Sequence, residues 1–291
     1  MKGLTPEETL EEKMKVAYQG ETGAFSESAA RRLLGPEITG VPCRTFEQMF
    51  AAVGAGEAEC CIAPIENSLA GSIHRNYDLL LDSGLTIAGE TSMRIVHSLI
   101  APPNVPIESV RRVYSHPVAL AQCTRFFTAR PQIEAMPVHD TAGGVRLVMD
   151  RGRDDEAAIA ASAAAEIYGA RVLLEAIEDN PQNFTRFFLL TGADRAGQVV
   201  TRETSRRWKT SIVFRASNKP GALFRALGAF AIFEIDLTKI ESRPIEGRPW
   251  EYAFYLDFVG KSDDTNVARA LDSLRELAEM VRVLGTYPTR W

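Results

Sequence analysis

The feature that most constrains this chain is the alternation of short apolar runs with segments of helical periodicity. Residues 16–20, VAYQG, have the pattern of a strand. Residues 25–35 have the pattern of a helix, in which Ser26 is the expected N-cap and Gly35 the expected stop. β-Rich runs that alternate with helices are typical of α/β proteins with largely parallel strands. We therefore predict an α/β fold for residues 15–195.

Further strand–helix units repeat this scheme. Thr45 and Gln48 form a capping box before a helix, and the run CCIAPIE reads as a buried strand. A helix is expected over residues 72–81 with Gly84 beyond its end, and Pro117 suits a first helical turn. Because strands end just before helices, we expect the helix N-termini to gather along one edge. Their N–H groups can bind an anion there.

The pattern changes twice along the chain. Residues 85–101 form an extended stretch long enough to pass from one lobe to another, which places a second lobe at about residues 95–175. Residues 196–208 are polar and patternless, and we predict a linker there. In residues 209–291 the predicted order becomes βαββαβ, which is that of the ferredoxin-like fold.

Composition narrows the class of protein. The net charge is only -5, from 33 Lys and Arg against 38 Asp and Glu, so no general footprint for nucleic acid is present. The four cysteines have neither metal-site spacing nor the density of a disulfide scaffold. The acidic opening segment does not resemble a signal peptide, and no apolar run approaches the roughly 20 residues of a membrane span. We expect a cytoplasmic protein that binds a small molecule.

Several kinds of chemistry lack their motifs. The sequence contains neither a GxSxG elbow nor a Cys–His pair, so covalent catalysis is disfavoured. The histidines lack ligand spacing, and the adjacent Cys60 and Cys61 would point to opposite faces of a strand, so no metal is predicted. The segment GETGAFSE matches neither GxGxxG nor GxxxxGK[ST], so a nucleotide cofactor is not predicted either.

Polar residues follow the ends of several predicted strands. In open α/β sheets, ligands bind outside the carboxyl ends of the strands, so residues distant in sequence can converge there. Any one of them alone could be a helix cap or a turn residue. The set that we expect to converge is Glu66, Asn67, Ser115, His116, Asp140, Thr141, Ser162, Thr185 and Arg186.

Seven segments in order identify a family. They are VAYQGETGAFSE, APIENSLAGSIHRNYDLLL, SHPVALAQC, HDTAGG, QNFTRFFLL, NKPGALF and LTKIESRP. The chain resembles bacterial prephenate dehydratases and the related arogenate dehydratases from about Val16 to Pro288. The resemblance implies a bilobal catalytic region, like that of periplasmic binding proteins, with the active site in its cleft. It also implies a C-terminal ACT domain of ferredoxin-like fold and no cofactor.

The resemblance also implies site residues. Thr185 becomes the leading catalytic residue, and Asn67 and Gln122 fall on family positions associated with activity. The implied substrate-binding residues are Glu66, Ser68, Ser115, His116, Thr141, Arg186 and Phe187. Prephenate loses a carboxylate as CO2 and a ring hydroxyl as water to give phenylpyruvate, in phenylalanine biosynthesis. Because threonine is too weak an acid for ordinary general acid catalysis, we expect Thr185 to donate a hydrogen bond to the leaving hydroxyl.

In the ACT domain, the resemblance implies a site for L-phenylalanine as a feedback inhibitor. The implied residues are Gly221, Ala222, Leu223, Phe224, Asp236, Glu241, Ser242, Arg243 and Pro244. A glycine at a helix start exposes N–H groups that suit a carboxylate. Such sites usually form between two ACT domains, so a homodimer or homotetramer is expected.

Three other functions stay open at this point. An arogenate dehydratase would form phenylalanine directly, because its substrate carries an amino group in place of the keto group. A non-catalytic amino-acid-sensing protein could use two similar lobes around a carboxylate. A catalytically silent regulator could have kept its ACT domain.

Overall fold

The computed structural model describes residues 13–202, 205 and 207–290. Most of the acidic opening segment and part of the predicted linker lie outside the described residues. The strands are β1 (Met14–Gln19), β2 (Ile38–Cys43), β3 (Cys60–Asn67), β4 (Gly71–Ser72), β5 (Thr86–Arg94), β6 (Ser98–Ala101), β7 (Arg112–Ser115), β8 (Glu134–Pro137), β9 (Glu156–Ala160), β10 (Arg171–Leu174), β11 (Phe184–Thr191), β12 (Arg207–Ala216), β13 (Leu237–Ile245), β14 (Arg248–Val259) and β15 (Ala278–Thr289). The helices are α1 (Phe25–Leu34), α2 (Phe46–Gly54), α3 (His74–Ser83), α4 (Pro117–Ala121), α5 (Thr124–Thr128), α6 (Thr141–Arg151), α7 (Ala163–Tyr168), α8 (Ala222–Ile232) and α9 (Thr265–Leu277).

Three sheets organise these elements. The first lobe has the strand order β2-β1-β3-β11-β5, with β4 paired to β3, and the second lobe has the order β10-β6-β9-β7-β8. The chain enters the second lobe after β5 and returns before β11. The third sheet, β13-β14-β12-β15, carries α8 and α9 and follows the predicted order βαββαβ. The predicted bilobal α/β region with a ferredoxin-like C-terminal domain is therefore confirmed.

Local signals explain most helix ends. The Thr45 hydroxyl accepts a hydrogen bond from the Gln48 N–H at 3.2 Å, and Pro117 occupies the first turn of α4. Gly84 ends α3 in the left-handed conformation. The prediction that Ser26 caps α1 is wrong: the cap position is Ala24, and Ser26 lies inside the helix. The helix begins earlier because the Glu27 carboxylate accepts from the Gly23 N–H at 2.8 Å.

The C-terminal domain packs directly on the first lobe. Cys60 and Cys61 lie in two different core clusters, on opposite faces of β3 as predicted. The cluster that contains Cys61 also contains Phe188 of β11 and Tyr287 of β15. At Gly285 a Cβ atom would collide with the backbone of β5, so only glycine permits this approach of β15. One face of β11 is thus covered by the C-terminal domain.

Candidate active site

A cavity of about 350 Å³ lies between the two lobes. Its polar lining residues are Gln19, Ser26, Asn67, His97, His116, Gln122, Asp140, Thr141 and Thr185. Of the lining residues in the described part of the chain, none is a lysine or an arginine. The cavity therefore offers hydroxyl, amide, imidazole, carboxylate and backbone groups to a ligand, and no fixed side-chain cation in the described lining.

The Thr185 hydroxyl is held at the cavity wall by one amide. Asn67 Nδ2 donates to Thr185 Oγ1 at 2.9 Å, and Thr185 is only 7% exposed. Asn67 Oδ1 accepts from the backbone N–H groups of Leu69 and Ala70 at 3.0 and 2.9 Å, which determines the orientation of the amide. Because Thr185 Oγ1 is the acceptor in this bond, its own proton can be donated to a bound molecule.

Three amides form a closed ring behind Thr185. Asn67 Nδ2 also donates to Asn183 Oδ1 at 2.7 Å, and Asn183 Nδ2 donates to Gln122 Oε1 at 2.9 Å. Gln122 Nε2 returns to Asn67 Oδ1 at 3.4 Å. Each amide therefore constrains the next, and Gln122 connects α4 of the second lobe to β3 of the first. A buried network in which every member is paired gives a single geometry.

His97 extends this ring. Its Nε2 lies 2.9 Å from Gln122 Oε1, which is an acceptor, so the hydrogen bond assigns the proton to Nε2. His97 is 2% exposed, and burial lowers its pKa despite the bond to Gln122. Its backbone N–H donates to the buried Glu178 at 3.0 Å. His97 is therefore a neutral donor that fixes Gln122, at the point where the chain crosses between lobes.

Helix N-termini border the same cavity. Phe25 and Ser26 begin α1, while His116 and Thr141 lie at the starts of α4 and α6. Burial and then the neighbouring His139 lower the pKa of His116, which favours its neutral form. Backbone N–H groups at these helix starts can hold a carboxylate without a formal charge.

The structure brings part of the predicted set together. Asn67, Gln122, Thr185, His116, Thr141 and Phe187 all line the cavity. Three others do not. Glu66 pairs with Lys239 of β13 at 3.0 Å, Ser68 Oγ donates to the Gln182 carbonyl at 2.8 Å, and the buried Ser115 donates to the Ile159 carbonyl at 2.6 Å.

Arg186 also lies away from the cavity, in a buried cluster at the domain boundary. Its guanidinium donates to Glu90 of β5 and to Asp257 of β14, both at 2.7 Å. Lys209 of β12 donates to the other Glu90 oxygen at 2.7 Å. Burial opposes the charge of Arg186, but Asp257, Tyr287 and Glu90 raise its pKa above the ordinary value. This ion cluster joins the first lobe to the C-terminal sheet.

The period of two along β11 explains this separation. Thr185 and Phe187 face the cavity, whereas Arg186 and Phe188 face the C-terminal domain, with the guanidinium 4.7 Å from the Phe188 ring centre. Consecutive residues of one strand therefore serve the ligand cavity and the domain boundary.

Sequence reasoning missed four polar residues of the site. Ser26 lines the cavity, although the sequence indicated only a helix cap there. His97 lies in the extended crossing segment, where no strand-end or helix-cap signal marks it. Asn183 immediately precedes β11, and Gln19 ends β1. A strand-end rule applied to every strand would have found Gln19, whereas the role of Asn183 depends on its contacts with Asn67 and Gln122.

The described residues provide neither a metal site nor a reactive thiol. Those residues contain no group of three or more His, Cys, Asp or Glu positioned to hold a metal ion. The four cysteines are buried thiols, and burial raises the pKa of both Cys60 and Cys123 to about 12. Such thiols are protonated at neutral pH and are poor nucleophiles.

The predicted effector residues fall into three groups. Gly221 caps α8 with a φ of 75°, and Ala222 and Leu223 line a cavity of about 140 Å³ that also contains Trp250. Phe224 is 81% exposed. The stretch from Glu241 to Pro244 lies on β13, and Asp236 follows the opposite end of α8.

Two residues of β13 contact the catalytic region. Glu241 accepts from Ser72 Oγ at 2.5 Å, and Arg243 donates twice to the Asp78 carboxylate, at 3.1 and 2.9 Å. Within one chain these side chains are therefore committed to β4 and α3. They do not line the cavity beside Ala222.

Two family models match the chain. The model described as prephenate dehydratase matches residues 16–195, and the model described as ACT domain matches residues 210–276. Together they account for both parts of the fold.

Curated relatives agree with these models. Arogenate dehydratase/prephenate dehydratase 2 of Arabidopsis thaliana is 44% identical over 285 residues, which cover 95% of this chain and 73% of the relative. Arogenate dehydratase 2 of Petunia hybrida is 43% identical, with 95% of this chain and 72% of the relative covered.

Solved structures share the fold. A protein described as GqqA, a novel type of quorum quenching acylase, has a TM-score of 0.84 at 36% identity, covering 94% of this chain and 98% of that one. Prephenate dehydratase from Arthrobacter aurescens in complex with L-Phe has a TM-score of 0.84 at 32% identity, covering 95% and 90%.

The prediction of a cytoplasmic protein is contradicted by these relatives. The Arabidopsis relative at 44% identity and two further Arabidopsis relatives at 41% are named as chloroplastic, which points to a plastid. Composition misled this prediction because buried, unpaired cysteines fit any reducing compartment equally well. Separately, none of the described helices is long and apolar enough to cross a membrane.

The resemblance read from the seven sequence segments is confirmed by the family models, the curated relatives and the shared fold. The chain belongs to the prephenate dehydratase family and carries a C-terminal ACT domain.

Proposed function

We propose that the chain catalyses the decarboxylating dehydration of prephenate to phenylpyruvate, with Thr185 as the hydrogen-bond donor to the leaving hydroxyl. One observation carries this proposal: Thr185 Oγ1 accepts from Asn67 Nδ2 at 2.9 Å, which leaves the hydroxyl proton for the ligand. The donor is positioned before the substrate arrives, so no reorganisation is needed when the C–O bond breaks.

The lack of lysine and arginine in the described cavity lining supports the loss of CO2. A carboxylate held by N–H groups and hydroxyls, without lysine or arginine, is poorly stabilised in its charged form. As the ring becomes aromatic, the carboxylate leaves as neutral CO2 and the electron pair of the broken C–C bond moves into the ring. The negative charge departs with the leaving hydroxyl, which takes up a proton to become water. Phe187 and Phe25 supply apolar walls for the ring. This arrangement favours the transition state over the bound substrate.

Arogenate is the second candidate substrate. The relatives at 44% and 43% identity are named as arogenate/prephenate and arogenate dehydratases. Arogenate carries an ammonium group, for which Asp140 is the acidic residue in the cavity lining. Both substrates lose the same hydroxyl and carboxylate, so Thr185 has one role in either reaction.

The neighbour described as an acylase raises amide hydrolysis as an alternative. That reaction needs a nucleophile activated by a base. Among the contacts described for Thr185, the hydrogen bond comes from the Asn67 amide, and His97 bonds to Gln122 instead. The geometry therefore supports a donor role, and we do not extend the acylase activity to this chain.

We propose that L-phenylalanine binds the ACT domain and changes turnover through the ion cluster at Arg186. The cluster connects β14 and β15 to Arg186, the residue that follows Thr185, and it connects β12 to Arg186 through Glu90. A shift of the C-terminal sheet therefore moves β11 directly, which is a physical route for a population shift between open and closed clefts.

Domain limits and assembly follow as further proposals. We propose a bilobal domain at residues 15–195, a linker at 196–208 and an ACT domain at 209–291. Gly221 and Asp236 lie at opposite ends of the 11-residue helix α8, roughly 16 Å apart. One amino acid cannot contact both within one chain, so we propose a homodimer or homotetramer in which two ACT domains complete the effector site.

A substrate assay tests the proposed function. Purified protein is incubated with prephenate or with arogenate, and phenylpyruvate and phenylalanine are quantified with and without added L-phenylalanine. We expect turnover of at least one substrate and a lower rate with L-phenylalanine. Failure to convert either substrate would contradict the proposal, and would favour the sensing or silent-regulator alternatives if L-phenylalanine still binds.

A further inference from the structure

The start of α1 forms one wall of the active-site cavity. Ala24, Phe25 and Ser26 all line the cavity, and they occupy the N-cap and the first two positions of the helix. The first N–H groups of a helix have no partner within the helix. Because the N-cap Ala24 has no side-chain acceptor, the N–H groups of this turn can bind a molecule in the cavity.

The Ser26 hydroxyl lies at the same turn. Ser26 is 7% exposed and lines the cavity, and among the described residues its hydroxyl has no hydrogen-bond partner. Ser28 shows the ordinary alternative within a helix, since its hydroxyl donates to the Ala24 carbonyl at 3.4 Å. A buried hydroxyl without a partner costs free energy. A ligand in the cavity is therefore the expected partner of Ser26.

Two acids lie near this turn, and each is paired with an arginine. Glu27 accepts from the Gly23 N–H at 2.8 Å and from Arg31 at 2.6 Å. Glu21 accepts from Arg146 of α6 at 2.9 Å. The bond to Gly23 also fixes the loop that leads into α1. Because both carboxylates have a cationic partner, neither opposes an anion at this helix start as an unpaired charge would.

Two other helix starts at the cavity suit an anion less well. α4 begins with Pro117, which has no N–H, and His116 Nδ1 accepts from the next N–H group, that of Val118, at 3.2 Å. α6 is capped by the Asp140 carboxylate, which accepts from the Gly143 N–H at 2.7 Å. The negative charge of Asp140 would repel a second carboxylate there.

Two further helices reach the cavity with one residue each, Phe46 of α2 and the N-cap Ile73 of α3. The hydroxyl of Thr45 already caps α2. The carboxylate of Glu241 lies 3.2 Å from the side chain of His74, the first residue of α3, so a negative charge already lies at that helix start. Among the described helix starts, that of α1 therefore suits an anion best.

The start of α1 also borders the amide ring. The Phe25 ring meets the His97 ring edge-on, with 5.7 Å between the ring centres, and His97 bonds to Gln122. A molecule held at Ser26 therefore lies beside the same network that orients Thr185.

We infer that the start of α1, together with the Ser26 hydroxyl, binds the substrate carboxylate that the product retains. One carboxylate leaves as CO2 and the other stays on the three-carbon side chain, and this assignment rests on the proposed function. The helix dipole adds to the hydrogen bonds of this turn, so the leaving carboxylate would be stabilised more here than elsewhere in the lining. That would oppose decarboxylation, whereas binding of the retained carboxylate orients the ring without this cost.

Binding is tested by titration calorimetry of the full chain with phenylpropanoate, which carries a phenyl ring on a three-carbon carboxylate and has no ring carboxylate. We expect saturable binding by the parent. Ser26→Ala should bind about tenfold more weakly, because it loses a hydrogen bond to a charged group. The matched control Ser28→Ala lies on the same helix outside the cavity lining and should bind like the parent.

A second variant separates loss of binding from loss of folding. Ser26→Asp places a carboxylate at the helix start, which favours the helix dipole but should abolish phenylpropanoate binding by repulsion. Three outcomes would overturn the assignment: no saturable binding by the parent, equal weakening in Ser28→Ala, or unchanged affinity in Ser26→Ala.

Kinetics on the preferred substrate give an independent readout. For Ser26→Ala we expect KM to rise about tenfold while kcat stays within about threefold of the parent, as for a contact made equally before and in the transition state. A raised KM with unchanged phenylpropanoate binding would assign Ser26 to the leaving carboxylate and overturn the inference. Because the titrations contain no substrate, Ser26-dependent binding without turnover would support the carboxylate site and contradict only the proposed function.

Discussion

Thr185 and Arg186 are consecutive residues of β11, yet they belong to opposite kinds of environment. Thr185 joins a ring of neutral amides in the cleft, and Arg186 joins a buried ion cluster with Glu90 and Asp257. The cleft stays free of lysine and arginine in its described lining, while the charges are concentrated at the domain boundary. The comparison indicates that charge serves the joint between domains, and neutral donors serve the chemistry.

The largest effect is expected at the domain boundary. Arg186→Met leaves Glu90 and Asp257 buried without their shared cation, and breaking a buried pair costs roughly 3–5 kcal/mol. Chemical denaturation should show a free energy of unfolding lower by about that amount. The control Arg275→Met breaks an exposed pair and should change stability by less than about 1 kcal/mol. Equal stability of the two variants would show that the cluster does not hold the domains together.

A change in the amide ring should lower the rate of turnover as well as stability, because it leaves buried donors unpaired. Gln122→Met removes the acceptor of Asn183 and His97 and the donor to Asn67. Because Thr185 then loses part of its orientation, we expect kcat to fall by about 10- to 100-fold, as for the loss of one or two hydrogen bonds of about 1.4 kcal/mol each. The exposed neighbour Gln182→Met serves as control, and an equal loss there would contradict a specific role for Gln122.

The pH dependence of stability tests His97, which extends the amide ring and is not part of the ion cluster. The pKa of His97 is lowered in the folded chain, so below pH about 6.5 the unfolded chain binds more protons. Stability should therefore fall as the pH falls below about 6.5. The variant His97→Gln should lose less stability over this range, whereas His116 contributes equally to both proteins. Parallel stability curves from pH 7.5 to 5 would show that His97 is not held neutral.

The smallest effect is expected where β13 contacts α3. Arg243→Gln breaks the ion pair with Asp78. Because the side chains of Arg243 and Asp78 are both partly exposed, stability should change by less than about 1 kcal/mol. L-phenylalanine affinity measured by calorimetry gives the second readout. A stability loss as large as that of Arg186→Met would erase the distinction between a surface pair and the buried cluster.

Helix ends could be predicted from the sequence because their signals are local. The element that covers a given face of a strand could not be predicted. Thr45, Gly84 and Pro117 mark helix ends through chemistry within a few residues, and the structure confirms them. Asn67 lies at the carboxyl end of β3, as expected. Thr185 instead lies at the start of β11, and it reaches the same edge because β11 runs antiparallel to β3.

Arg186 shows what sequence reasoning cannot reach. The alternation of β11 predicts that Arg186 faces away from Thr185, but not which domain covers that second face. His97 is a similar case, since its role depends on the distant Gln122 and no local pattern marks it. The ring and the cluster are both tertiary features, built from residues more than 20 positions apart.

The central claim is that the Thr185 hydroxyl donates to the leaving group without supporting the fold. The most direct test is kcat of Thr185→Val, measured on the preferred substrate together with the free energy of unfolding. We predict a loss of about 10²- to 10⁴-fold in kcat. Stability should change by no more than roughly 1.5 kcal/mol, the value of one neutral hydrogen bond. Turnover near that of the parent would contradict the account.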